Sequence, residues 1–166
     1  MAAEPSKIRA AAGKKCGEPS PVPCYYACMK TILAPVDFSS VTDRVCDAAA
    51  SLAQAVGGRV ILLHSVPPPI ISSEYAPLVE DVAAITAASE KAAAKGLARL
   101  QKKLQGRLVV VESAQFYGPP VEQILEQADA SGADYIVMGS HGHTALYDLL
   151  AGSTAHGVLR KAVCPV

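Results

Sequence analysis

The chain of 166 residues is about the length of one domain, since single domains usually run to roughly 100–200 residues. Hydrophobic residues make up 51% and charged residues 18%, which supports a buried core and excludes an intrinsically disordered chain. The 15 basic and 15 acidic residues cancel, so net charge provides no general attraction for nucleic acid or an anionic membrane.

The mean hydropathy of +0.26 raises the question of a membrane span. Uninterrupted apolar runs reach only about 6–8 residues, whereas a spanning helix needs roughly 20. The charged N-terminus has no apolar run behind it and does not look like a secretory signal. Five scattered cysteines do not resemble a disulfide framework. We therefore predict a cytoplasmic protein that partners neither a membrane nor nucleic acid.

The first residues differ from the rest of the chain, because they show no sustained periodicity and are rich in proline and glycine. We predict that residues 1–29 are a flexible extension and that one domain spans residues 30–166. Cys16, Cys24 and Cys28 lie in this extension. No fourth zinc ligand lies near them in sequence, so we interpret them as incidental thiols.

From residue 30 onward, short apolar runs alternate with longer amphipathic segments. The predicted strands are residues 31–36, 59–66, 107–114 and 134–138. The predicted helices are residues 40–56, 79–105, 120–132 and a short last helix that ends near residue 162. We expect Ser39 or Ser40 to cap the first helix and Gly57-Gly58 to end it.

Strands that are apolar on both faces and separated by helices are typical of a parallel sheet covered by helices on both sides. In such α/β sheets, ligands bind beyond the carboxyl ends of the strands, where the strand order reverses. We therefore expect the functional residues just after Val36, Val66, Ala114 and Met138.

A glycine pattern, G-x2-G-x9-G-S, follows the fourth predicted strand and is formed by Gly139, Gly142, Gly152 and Ser153. Glycines allow backbone to approach a ligand closely, and the start of the last helix, with Thr154 as a second hydroxyl, offers free N–H groups to an anion. Taken singly, each glycine is an ordinary turn residue. Their joint position after a parallel strand favours a phosphate site.

Asp37 ends the first predicted strand, where a carboxylate can accept hydrogen bonds from ribose hydroxyls or hold a divalent ion. The alternative is an acid that stabilises the start of the first helix. The sequence contains neither G-x-x-x-x-G-K-[ST] nor a strand-coupled G-x-G-x-x-G. A P-loop NTPase and a dinucleotide oxidoreductase are therefore not supported.

Residues 30–166 resemble the universal stress protein family in the segments KTILAPVDFS, LLHSV and VMGSHGHT…LLAGSTAHGVL. The glycine spacing is similar to that of the ATP-binding subgroup. The resemblance implies a Rossmann-like fold of the adenine nucleotide alpha hydrolase type. It also implies one open, parallel, five-stranded sheet in the order 3-2-1-4-5, bound ATP, AMP or ADP, and commonly a homodimer.

The resemblance also implies roles for individual residues. Pro35 and the backbone of Ser65 would face adenine, Met138 and Gly139 would pack under the nucleoside, and Asp37 would meet the ribose or a nucleotide-bound Mg²⁺. The residues implied for the phosphates are Gly142, Gly152, Ser153 and Thr154. His141 lies in the glycine loop, where a protonated imidazole can donate to a phosphate oxygen.

Two features depart from the family pattern. Position 65 is often aliphatic in the family, and here it is Ser65. The chain ends at Cys164-Pro165-Val166, so we expect a truncated fifth strand and a weakened dimer contact.

The predicted function is an ATP-binding stress-response or signalling switch. Hydrolysis or autophosphorylation would be slow at most, because the glycine loop has no Lys or Arg. One alternative is an adenylating enzyme, which would need an S-G-G-x-D-S loop where this chain has PVDFSS. The other is an interaction module that binds no nucleotide.

Overall fold

Four parallel strands form the centre of the computed structural model, which describes residues 29–66, 82–107, 109–140 and 153–166. The strands are β1 (Lys30–Pro35), β2 (Gly58–Val66), β3 (Val110–Tyr117) and β4 (Tyr135–Ile136). They pair in the order β3-β2-β1-β4, and every pairing is parallel. The predicted extension lies outside the described residues.

Four helices cover the two faces of this sheet: α1 (Thr42–Val56), α2 (Val82–Gln105), α3 (Pro120–Ser131) and α4 (Ser153–Lys161). Side chains of α1 and α2 share a core with Ile32 and Leu62, and side chains of α3 and α4 share a second core with Leu33 and Ile61. Adjacent strand residues thus point to opposite cores, as strand geometry requires. The predicted α/β fold with helices on both faces is confirmed.

The continuous apolar runs of the sequence arise because the central strands are buried on both sides. Residues 31 to 34 of β1 and 60 to 63 of β2 are all buried. Leu33 pairs with Ile61 of β2 and with Ile136 of β4, which places β1 inside the sheet. A strand in that position has no solvent-facing side, so alternation of polar and apolar residues is lost.

The described strands keep the first four places of the predicted order. Beside β4, the Ile136 N–H donates a hydrogen bond to the Pro165 carbonyl at 2.9 Å. Pro165 therefore lies where the resemblance places a fifth strand. The truncation of that strand stays a prediction.

β3 begins and ends three residues later than predicted. Arg107 belongs to the turn after α2, where its N–H donates to the Leu104 carbonyl and its guanidinium binds Asp47 at 2.9 Å. Pairing with β2 then runs from Val110 to Tyr117. The carboxyl end of β3 is therefore at Tyr117 and not at Ala114.

The glycine helix ends are confirmed at Gly57 and Gly132. Each adopts a left-handed conformation, with φ of 63° and 60°, and its N–H donates to a carbonyl of the last turn. Gly58 already belongs to β2, and a Cβ there would lie 2.6 Å from the Lys30 carbonyl oxygen. The close approach of β1 and β2 at this point therefore requires glycine.

Two cysteines lie among the described residues, and both have free thiols. Cys46 is buried in α1, and burial raises the pKa of its thiol to about 11. Burial also raises the pKa of the half-buried Cys164 thiol. Both thiols are protonated at neutral pH, which makes them poor nucleophiles.

Among the helices within the described ranges, none combines the length and the apolar character that crossing a bilayer requires.

Asp134 joins β4 to β1. Its carboxylate accepts hydrogen bonds from Lys30 Nζ at 2.7 Å and from the Thr31 N–H at 2.8 Å. Partial burial opposes ionisation, but these two donors outweigh it, and the pKa of Asp134 lies below its usual value. A carboxyl group with a lowered folded-state pKa stabilises the fold above its unfolded pKa of about 3.9 and stops doing so as pH falls through the folded pKa.

We therefore expect Asp134→Asn to reduce the loss of stability between about pH 5 and pH 2 relative to the parent chain. Urea unfolding across that range measures the effect. The matched control is Asp129→Asn, which removes an exposed carboxyl group from α3. Equal acid sensitivity of the Asp134 variant and the parent chain would contradict this role of Asp134.

Candidate functional site

A cleft of about 340 Å³ opens at the carboxyl ends of β1, β2 and β4. Six of the predicted site residues line it: Pro35, Asp37, Ser65, Met138, Gly139 and Thr154. The remaining lining residues are Val36, Val41, Thr42, Val45, Leu63, His64, Pro120 and Ile124.

The strand order explains why a cleft forms here. From β1, one connection leads through α1 to β2, and the sheet continues on that side to β3. The chain then returns through α3 to β4 on the other side of β1. α1 and α3 therefore leave the sheet on opposite faces and part at the carboxyl end of β1. This reversal is the position at which open α/β sheets bind ligands.

The cleft combines apolar walls with the starts of helices. Val45 of α1 and Ile124 of α3 both line it, and Leu63 and Met138 add further carbon surface. The first turns of α1, α3 and α4 also contribute Thr42, Pro120 and Thr154. Helix starts present N–H groups and the positive end of the helix dipole, although Pro120 has no N–H and the Thr42 N–H donates to the Ser39 carbonyl at 3.1 Å. The described lining contains no Lys or Arg, so these helix ends supply positive potential where side chains do not.

Asp37 is exposed at the mouth of the cleft. Its Oδ1 accepts hydrogen bonds from the Ser39 N–H at 3.0 Å and from the Thr42 hydroxyl at 3.3 Å. The predicted cap of α1 by Ser39 or Ser40 is wrong. Val41 is the N-cap residue and makes no side-chain cap hydrogen bond. The Asp37 carboxylate takes over the role of satisfying the donors that precede the helix.

The structure also gives the Ser39 side chain no capping role. Its hydroxyl oxygen is buried and has no hydrogen-bond partner among the described residues. The run Asp37-Phe38-Ser39-Ser40 offers three candidate caps within four residues. Only the backbone conformation of this loop decides between them, and residue spacing does not reveal that conformation.

His64 lies at the end of β2, where its Nδ1 is 2.8 Å from the Val36 carbonyl oxygen. A carbonyl only accepts hydrogen bonds, so Nδ1 carries the proton in this contact. His64 also lines the cleft, which the sequence analysis did not foresee. The available signal was its place directly before Ser65, at the carboxyl end of a strand.

The Ser65 hydroxyl makes a hydrogen bond within the fold. Its Oγ donates to the Gly118 carbonyl at 2.7 Å, and the Gly118 N–H donates to the Val66 carbonyl at 3.2 Å. Gly118 has a φ of 127°, a conformation that favours glycine. These bonds tie the ends of β2 and β3 together. The serine therefore fixes the edge of the sheet next to the cleft, which an aliphatic side chain does not do.

α4 begins at Ser153, and its second residue, Thr154, reaches the cleft. Ser153 is exposed and does not line the cleft. The helix is held close to α3 at Gly157, where a Cβ would lie 2.8 Å from Val121 Cγ2. This contact fixes the start of α4 beside the start of α3. His141, Gly142 and Gly152 of the predicted phosphate loop lie outside the described residues.

The residues that sequence reasoning missed form the two side walls of the cleft. They are Val41, Thr42, Val45, Leu63, Pro120 and Ile124. Val41 and Val45 are four residues apart and so share one face of a helix. The same holds for Pro120 and Ile124. That spacing was visible in the sequence, but the meeting of the two helix faces depends on strand order.

Comparison with known proteins agrees with this architecture. A family model described as the universal stress protein family matches residues 29–166. The chain belongs to the universal stress protein family.

The alignments with known relatives span most of this universal stress protein. One from Thermus aquaticus is 33% identical over 139 residues, spanning 82% of this chain and 96% of its own. The solved structure of a relative from Methanocaldococcus jannaschii has a TM-score of 0.70 at 29% identity, covering 82% of this chain and 92% of its own. A universal stress protein from Archaeoglobus fulgidus, solved in complex with dAMP, shares the fold with a TM-score of 0.58 at 24% identity, covering 83% and 94%.

Proposed function

We propose that this universal stress protein binds ATP, or AMP or ADP, in the cleft and acts as a nucleotide-dependent stress-response switch. The observation that supports this most strongly is the cleft itself. It lies at the reversal of strand order and combines apolar walls with three helix starts. A purine ring suits the apolar walls, and a polyanion suits helix starts that supply N–H groups without basic side chains.

We propose that adenine lies against Pro35 and the end of β2, with the Ser65 backbone at its edge. Met138 and Gly139 then support the nucleoside. All four residues line the cleft around the carboxyl ends of β1, β2 and β4. Asp37, exposed at the mouth, is placed to accept hydrogen bonds from the ribose hydroxyls.

The phosphates would extend toward the start of α4. Thr154 lines the cleft there, and α4 begins at Ser153, so the N–H groups of its first turn would face the phosphates. The glycine spacing supports a role for Gly142 and Gly152 at the same phosphates, and His141 joins them in this proposal because it lies in that loop.

Magnesium fits this arrangement through Asp37. Within the described residues, no cluster of three or more His, Cys, Asp or Glu side chains is suited to hold a metal ion. Mg²⁺ commonly binds through one or two carboxylates together with substrate phosphates and water. One exposed carboxylate at the cleft meets that requirement once the nucleotide is bound. Mg²⁺ would neutralise phosphate charge, and Asp37 would hold the ion at the cleft.

We propose that the protein acts as a switch and not as a fast ATPase. The described cleft lining contains neither Lys nor Arg to stabilise charge on a transferred phosphoryl group. Slow hydrolysis, or autophosphorylation of Ser153 or Thr154, would be the upper limit. The Archaeoglobus fulgidus protein was solved in complex with dAMP, which supports an adenine nucleotide as the proposed ligand here.

The cellular compartment, the oligomeric state and the role of the N-terminal residues are also part of the proposal. We propose a cytoplasmic protein that forms a homodimer, with residues 1–29 as an appended extension. The family model begins at residue 29, close to the proposed start of the domain.

Thermal unfolding with and without nucleotide tests the proposed function. A ligand at about 100 times its Kd stabilises the folded state by about 2.7 kcal/mol. For a chain of this size, the midpoint should rise by roughly 5–10 °C with MgATP. Repeating the thermal unfolding with AMP, which carries a single phosphate, separates recognition of the nucleoside from recognition of the further phosphates. No shift at millimolar nucleotide would contradict ATP binding and favour the interaction module.

The Asp37→Asn variant tests the site itself. Its amide oxygen can still accept from the Ser39 N–H, so the loop keeps its hydrogen bond. Losing the charge should remove about half or more of the MgATP shift, since hydrogen bonds to charged groups contribute about 1.5–3 kcal/mol. The Asp129→Asn variant is the matched control and should keep the full shift. An unchanged shift in Asp37→Asn would remove Asp37 from the site.

A further inference from the structure

Phe38 has an unfavourable backbone conformation next to the cleft. Its φ is 60°, and it is the one residue other than glycine with a positive φ within the described ranges. A bulky side chain rarely occupies this region, and it stays there only when its surroundings hold it. Phe38 lies between Asp37 and Ser39, which are joined by the hydrogen bond from the Ser39 N–H to Asp37 Oδ1.

The Phe38 ring is held by a gap in α2. Gly96 lies inside that helix, where glycine is less favourable than alanine. A Cβ on Gly96 would lie 2.6 Å from Phe38 Cε1 and 2.8 Å from Phe38 Cζ. The ring thus occupies the space that any other residue at position 96 would fill. We call this gap the Gly96 notch.

The Phe38 ring makes a second contact, with His64. The His64 ring lies with its centroid 4.4 Å from that of Phe38, at an interplanar angle of 39°. The His64 Nδ1 contacts the Val36 carbonyl oxygen two residues before Phe38. Phe38 is therefore confined between α2 and the end of β2, and both contacts lie beside the cleft.

We propose that Phe38 is a positioning residue that holds the Asp37 carboxylate at the mouth of the cleft. The ring in the Gly96 notch fixes the backbone of residues 37 to 39, which places the Ser39 N–H against Asp37 Oδ1. α2 is thereby coupled to the site, although none of its residues lines the described cleft. The consequence for nucleotide affinity rests on the proposed function, whereas the consequence for the loop does not.

Filling the notch tests this proposal. Gly96→Ala places a methyl group against the two ring atoms, so the ring must leave. Phe38→Leu lacks Cε1 and Cζ, so it takes the ring out of the notch without filling it, and the double variant Gly96→Ala with Phe38→Leu combines the two changes. Gly106→Ala is the matched control, because a Cβ there meets its nearest atom at an ordinary 3.4 Å.

The first measurement is hydrogen exchange of the Ser39 amide by NMR, without nucleotide. Losing one hydrogen bond that is worth a factor of about ten should speed exchange about tenfold in Gly96→Ala. Phe38→Leu should speed exchange as well, and the double variant should exchange no faster than the faster single variant, because both changes break the same contact. Gly106→Ala should match the parent chain. Effects that multiply in the double variant would mean two independent defects and would contradict positioning through the Gly96 notch. Unchanged Ser39 exchange in Gly96→Ala would overturn the proposal.

The second measurement is the affinity of Gly96→Ala, Phe38→Leu, the double variant and Gly106→Ala for MgATP by calorimetry. We expect Gly96→Ala to weaken binding about tenfold, Phe38→Leu to weaken it as well, and the double variant to bind no more weakly than the weaker single variant. If the parent chain binds MgATP and Gly96→Ala binds equally well, the positioning role is wrong and the proposed function stands. If the parent chain does not bind, the proposed function fails, and Ser39 exchange alone decides the positioning role.

Discussion

Leu62→Ala should lower the free energy of unfolding by about 2–5 kcal/mol, the cost of deleting buried methyl groups and leaving a cavity. Leu62 is 0% exposed in β2, between β1 and β3. It belongs to the core that α1 and α2 form against the sheet. Two packed helices cannot move inward without disturbing strand pairing, so the cavity should remain largely open. Urea unfolding at neutral pH measures the change.

The matched control makes the same substitution on the surface. Leu159 of α4 is 54% exposed, so Leu159→Ala should change stability by no more than about 0.5 kcal/mol. Comparing the two variants separates burial from the chemistry of the substitution. A difference below about 1 kcal/mol between them would mean that the core between the sheet, α1 and α2 is not packed as described.

Val41→Trp should weaken MgATP binding by roughly 10- to 100-fold, because an indole would occupy the space proposed for adenine. The contacts of one buried aromatic ring are worth about 1.5–3 kcal/mol. Val41 is half-buried, lines the cleft and precedes α1 without a side-chain cap bond. The larger side chain should therefore block the cleft while the fold is kept.

Val163→Trp is the control for this variant, since Val163 is 91% exposed and does not line the cleft. It should bind MgATP as the parent chain does. Circular dichroism and urea unfolding of both variants check that each is folded. Unweakened binding by a folded Val41→Trp chain would place the nucleotide elsewhere.

The fold could be predicted because its signal is local. Strands buried on both faces show as short apolar runs, and glycines after α1 and α3 mark helix ends through their backbone freedom. The limits of β3 could not be predicted in the same way. The apolar residues 108 to 111 indicated an early strand, but pairing with β2 extends it through Gln115 to Tyr117.

Polar residues in β3 are tolerated because it lies at the edge of the described sheet. Glu112 is paired with Arg59 of β2 at 2.7 Å. Ser113 donates to Gln101 of α2 at 2.9 Å, and Gln101 in turn donates to the Val111 carbonyl. These partners come from other elements, so a sequence pattern within β3 cannot reveal them.

The site residues also differ in whether a local sequence signal reveals them. Asp37 and Gly139 were predicted because each lies at the carboxyl end of a strand, and in a parallel sheet those ends meet at one edge. Ser65 was predicted from the family resemblance alone. The contact between Phe38 and Gly96 was not predicted, because it joins a loop to the middle of a distant helix. Its signal in the sequence was a glycine inside a helical pattern, which alone does not name its partner.

Calorimetric titration of the full chain with MgATP tests the central claim most directly. We expect one saturable site per chain and binding that is weakened by Val41→Trp but not by Val163→Trp. That result would locate an adenine nucleotide in the cleft at the carboxyl ends of β1, β2 and β4. Absence of saturable binding at millimolar MgATP, or equal binding by both tryptophan variants, would contradict the account.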